Sequence, residues 1–178
     1  GGTSTGVGGG VNIYAGGSTL STGGAVTLIS GEGTATSSGD VTLLTSNAGS
    51  SGTSGDIELR TGNSKNGPTG DLTIKTGSSG AGSAGAISIS VGDSGTGSGA
   101  DLNLIAGASD EATGGRILIS SGSSTSGGSG SVTIQSEDSD SVGQSGSIAM
   151  QSGHSKLGNS GFMLVSTGDS AASAAGDV

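Results

Sequence analysis

The chain has 178 residues, of which 41 are Gly and 29% hydrophobic, with Tyr14 and Phe162 as its only aromatic residues. Bulk composition of this kind lies close to that of disordered or low-complexity polypeptides. A net charge of −9 with five basic residues excludes a phosphate-tracking surface, so nucleic acid is not an expected partner.

The chain has no Cys, so neither disulfides nor a thiolate metal site can staple it. No apolar run approaches the roughly 20 residues needed to cross a bilayer, and no membrane span is expected. What argues for order is the placement of the few large apolar residues.

Residues 1–10 read as the Gly-rich second half of a preceding unit. An aliphatic pair then recurs about every 15 residues. Its first member is Val11, Val26, Val41, Ile57, Leu72, Ile87, Leu102, Ile117, Val132, Ile148 and Phe162. The second lies two residues on: Ile13, Leu28, Leu43, Leu59, Ile74, Ile89, Leu104, Ile119, Ile134, Met150 and Leu164. Eleven units keep both positions without a failure, which chance does not produce. A period of this length is the mark of a repeat architecture.

Within each unit the order is constant. Apolar and variable residues alternate, which predicts a strand with one buried face. A small residue follows, such as Ser30, Thr61, Thr76, Ala106 or Ser152. Next comes a Gly column (Gly16, Gly31, Gly62, Gly77, Gly92, Gly107, Gly122, Gly153), expected to supply a positive φ or a tight approach. A Ser column lies two residues beyond, from Ser18 through Ser64, Ser79, Ser94, Ser109, Ser124 and Ser139 to Ser155. A second Gly column closes most units, at Gly24, Gly39, Gly55, Gly70, Gly85, Gly115, Gly130, Gly146 and Gly161.

One short strand cannot bury its own apolar face, whereas stacked copies can. Helix is disfavoured by this density of Gly. The predicted fold is therefore all-β, a narrow parallel β-solenoid (β-helix) of about eleven coils of about 15 residues. It forms one array over 1–178, expected to be an internal segment of a longer repeat protein. The reading requires Val26, Val41, Ile57 and Leu72 to line up inside one column, and the expected role leans on that column.

Hydrolytic chemistry finds no support. The single His, His154, stands beside Ser155 and Lys156 without a ladder role, and repeated Ser is a structural column rather than an activated nucleophile. The Gly-rich stretches lack the Gly-Lys-Ser/Thr ending of a phosphate loop. No enzyme and no cofactor are expected. Asp40, Asp56, Asp71 and Asp101 share one repeat position, immediately before the first apolar residue. Stacked carboxylates repel unless a cation intervenes, which makes these four weak candidates for Ca²⁺. A corner Asp that caps a turn is the simpler reading. Glu137, Asp138 and Asp140 form a second acidic group, read as an exposed loop.

The outward strand positions run Asn12, Thr27, Thr42, Glu58, Thr73, Ser88, Asn103, Leu118, Thr133, Ala149 and Met163, then Tyr14, Ile29, Leu44, Arg60, Lys75, Ser90, Ile105, Ser120, Gln135, Gln151 and Val165. A regular Thr array would suit an ice lattice; charges interrupt this one. Aliphatics among them, such as Ile29, Leu44 and Ile105, suit contact with another chain.

Segments such as Ser-Gly-Asp-Val-Thr-Leu-Leu-Thr (38–45) and Gly-Ser-Gly-Ser-Val-Thr-Ile-Gln-Ser (128–136) resemble very large Gly/Ser/Thr-rich secreted repeat proteins of algae and other microbial eukaryotes. The resemblance implies extracellular or cell-surface structural material, such as fibres or filaments, with no catalytic residues. Expected partners are further copies, joined end to end or laterally, and O-glycans on the Ser/Thr-rich surface. An ice-binding solenoid and a Ca²⁺-dependent adhesin module are the alternatives.

Overall fold

The Ser column marks the places where the backbone turns. In the computed structural model, which describes residues 6–140, 142–172 and 174–177, the chain bends at 19–21, 34–36, 50–52, 65–67, 80–82, 95–97, 110–112, 125–127 and 156–158. Each bend starts eight or nine residues after the first aliphatic of its unit, so the sequence period reappears as a backbone period.

Short hydroxyl side chains explain the turning. The Oγ atoms of Ser18, Ser64, Ser79, Ser94, Ser109, Ser124 and Ser155 each accept the backbone N–H three residues on, at 2.9–3.1 Å. A hydroxyl one bond beyond Cβ has the reach for such a local turn. The donors are Ser21, Gly67, Gly82, Gly97, Ala112, Gly127 and Gly158.

Beyond the bend the chain returns against its own outgoing arm. Gly24 N–H donates to the Gly16 carbonyl at 2.8 Å, and Gly39 to Gly31 at 3.0 Å. Gly115 donates likewise to Gly107 at 2.8 Å, and Gly130 to Gly122 at 2.9 Å. In these four units the second-column Gly is the donor and the first-column Gly the acceptor of one cross-bend bond.

The second Gly column permits this closure because it has no side chain. A Cβ on Gly24 would lie 3.2 Å from the Gly16 nitrogen and 3.3 Å from Ala15 Cβ, and one on Gly115 would meet Gly107 and Ala106 in the same way. At Gly55 and Gly146 the neighbours at 3.3 Å are Thr45 Cγ2 and Ser136 Cβ. Small residue faces Gly across each of these units. Positive φ is not the device. Among the described residues the only positive φ is +158° at Gly52, close to fully extended.

The expected all-β solenoid is not what forms. Among the described residues there is neither a strand nor a helix, so the β-solenoid or β-helix of eleven stacked coils is overturned. The backbone bonds described above close bends within a unit; no strand ladder is built on them. The aliphatic column fails with the ladder. Val26 is 65% exposed, Val41 57%, Ile57 52% and Leu72 60%. Among the described residues no hydrophobic side chain is buried. The least exposed positions are instead Ser30, Gly33, Thr45, Ala106 and Ser155, which belong to the bends and their small-residue arms.

The chain divides into two compact units, Gly1–Ser88 and Ile89–Val178. The first holds the bends from 19–21 to 80–82; the second holds those from 95–97 to 156–158. Both use the Ser cap and the Gly–Gly bond.

Gly33 occupies the Ser column in its own unit and shows why no Ser stands there. A Cβ at Gly33 would strike the Ser37 carbonyl oxygen and lie 2.7 Å from both the Ser37 carbonyl carbon and the Thr36 oxygen. Gly33→Ala should open this bend and speed amide exchange across 33–39, whereas Gly77→Ala, facing open space, should leave its unit unchanged. Equal exchange in the two variants would contradict the close approach. Ser79→Ala removes a single hydrogen bond worth about 1 kcal/mol. The Gly82 amide, its donor partner, should then exchange about fivefold faster.

Candidate functional site

An extended backbone places residues i and i+2 on one side. Glu58 and Arg60 therefore project together from the arm that carries Ile57 and Leu59. Arg60 Nε lies 3.2 Å from Glu58 Oε1, with side chains 78% and 70% exposed. An ion pair this exposed contributes up to about 1 kcal/mol and is screened by salt. Beside it, Arg60, Thr61, Gly62 and Asn63 line a hollow of about 220 Å³. Its lining supplies a guanidinium, a hydroxyl and a side-chain amide, but no base paired with a nucleophile. The signal for the ion pair was present in the sequence as opposite charges two residues apart on one outward face.

The acidic column is exposed throughout: Asp40, Asp56, Asp71 and Asp101 all face solvent. Among the described residues no group of three or more His, Asp or Glu side chains comes together to hold a metal ion. The four Asp are thus not gathered into one site, and neither are Glu137, Asp138 and Asp140, which are also exposed.

His154 is exposed, and its neighbour Ser155 spends its hydroxyl oxygen on the Gly158 N–H at 3.0 Å. Ser18, Ser64, Ser79, Ser94, Ser109, Ser124 and Ser155 of the Ser column have the structural role that its periodicity suggests. Outward Thr27, Thr42, Thr73 and Thr133 are exposed, but Glu58, Asn103 and Leu118 interrupt them, so no continuous Thr array is presented. No helix among the described residues is long and apolar enough to cross a membrane.

The feature that recurs in every unit is the aliphatic pair itself. From Val26 to Ile148 the first member is always less exposed than the second, and neither is enclosed. The pairs form a set of apolar sites, each eight or nine residues before a bend. No protein-family model, no curated protein and no solved structure matches the chain.

Glu58→Gln should remove the ion pair while leaving the bend at 65–67 intact. Thermal or denaturant stability is expected to move by no more than about 1 kcal/mol. A larger loss would show that the pair and its hollow carry structural weight.

Proposed function

We propose that the chain is a structural repeat element of extracellular or cell-surface material, acting by association with further copies, end to end or side by side. The observation that carries this reading is the aliphatic pair, presented to solvent in unit after unit eight or nine residues before a bend. The role no longer leans on a stacked column inside one chain. It rests on the apolar surface which that chain leaves uncovered.

Exposed apolar area is a driving force for association, at about 25 cal/mol for each Å² removed from water. Scattered single aliphatics are ordinary on a protein surface, but a regular series is a binding surface in form. A partner that covers the series must present apolar groups at the same recurrence, and a second copy of this chain does so by construction. The net charge of −9 opposes close approach at low salt, and physiological salt screens it over about 8 Å. Ser, Thr and Gly between the pairs keep the remaining surface small and polar.

Sedimentation velocity over rising protein concentration, with electron microscopy of the same samples, tests the proposal. The expected result is growth into larger particles that strengthens with added salt. Replacing Ile57, Leu59, Leu72 and Ile74 together by Ser should weaken that growth. Isolated monomers at every concentration and salt level would overturn the reading.

A further inference from the structure

Seven bends share the Ser cap, and one of them adds a reactive side chain to it. The residue immediately before the capped N–H is Leu20, Asn66, Ala81, Thr96, Glu111, Ser126 or Leu157. Asn66 alone among these carries a side-chain amide, whose carbonyl carbon the next backbone nitrogen can attack with closure of a five-membered ring. That nitrogen belongs to Gly67, where no Cβ crowds the approach and the backbone is free to rotate. The other Asn residues precede Ile13, Ala48, Ser64, Leu104 and Ser160, all of which carry a Cβ. Asn66 is exposed, so water and hydroxide reach it.

The geometry points to Asn66 as a site of spontaneous deamidation whose rate Ser64 sets through the Gly67 N–H. Hydroxide removes the proton from the Gly67 nitrogen, which forms a bond to Asn66 Cγ. The Cγ–Nδ2 bond then breaks, and Nδ2 leaves as ammonia after taking a proton from water. The cyclic imide that remains is opened by water at either carbonyl, giving Asp or isoaspartate at position 66. Nothing is oxidised or reduced.

Ser64 stands in the way of the first step. Its Oγ accepts the Gly67 N–H at 3.1 Å, and a hydrogen bond to the protonated form disfavours loss of that proton. The same bond holds the 65–67 bend closed, limiting the rotation by which the nitrogen would reach Cγ. Conversion exchanges a neutral amide for a carboxylate, adding one negative charge to the present −9. The isoaspartate product also routes the backbone through the former side chain, lengthening it by one methylene inside a bend. Asn66 thus dates the molecule: bends age at this unit before the others.

The full chain, incubated in mildly alkaline buffer, tests this by peptide-resolved mass spectrometry and isoaspartate-specific methylation. Asn66 should convert several-fold faster than Asn159, which precedes Ser160. Ser64→Ala should convert several-fold faster than wild type, and Ser64→Thr, which keeps the hydroxyl, should stay near the wild-type rate. Wild type in denaturant should reach the rate of Ser64→Ala, a comparison that does not depend on how the variant folds. Conversion at Asn66 no faster than at Asn159, or equal native rates for Ser64→Ala and wild type, would overturn the assignment.

Discussion

What the rest of this backbone depends on is the approach of two arms at a place where neither carries bulk. A Gly N–H reaches a Gly carbonyl across the bend in four units, where the facing residue is Ala or Ser, and at Gly24 and Gly115 a Cβ would crowd that approach. A hydrogen bond of this kind is worth little net in water, about 1 kcal/mol. Close packing of backbone on backbone supports it, and side chains larger than Thr would prevent it. The Gly content that looks like disorder in bulk composition therefore has a positional purpose. At Gly24, Gly33 and Gly115 a side chain would hold the arms apart, whereas the first column, such as Gly62 and Gly77, faces open space.

That constraint explains which parts of the sequence could be read in advance. The period was legible because the aliphatic pair, the small residue, both Gly columns and the Ser column recur together. The Ser column was legible as structural for the same reason, and its partner N–H three residues on follows from the reach of a hydroxyl. The role expected of the first Gly column is not found: none of Gly16, Gly62 or Gly107 has a positive φ or would crowd a neighbour with a Cβ, and the close approach lies instead at Gly24 and Gly115 of the second column. Asn66-Gly67 is also a turn dipeptide, and it lies within the 65–67 bend of one unit.

The strand assignment failed for a definable reason. Alternation such as Val26-Thr27-Leu28 records that one side of an extended segment is apolar; it does not say what covers that side. A ladder needs donors and acceptors of neighbouring units to meet. Here the bonded Gly donors are turned inward across their own bends, and Ser hydroxyls take others. Local pairing has displaced the non-local pairing that the pattern invited, a competition that Ser side chains are known to enter. The acidic column was equally ambiguous. Asp40, Asp56, Asp71 and Asp101 share a sequence phase, but shared phase brings carboxylates together only if units stack in register, and that is the step that does not occur.

The pairs and the bends consequently answer to different physics. A bend is local: its bonds join residues three to eight apart, and it can form in one unit without reference to the next. A pair such as Ile57 and Leu59 gains nothing from its own bend, since both remain more than half exposed. Its apolar surface can leave water only against something the described chain does not provide internally. Bends that set the spacing and pairs that await cover form a division of labour suited to assembly. On the proposed reading the unit fixes where each apolar site stands, and association would supply the burial. A chain that associates in this way would be stabilised most by its neighbours, as a repeat element of a larger material is.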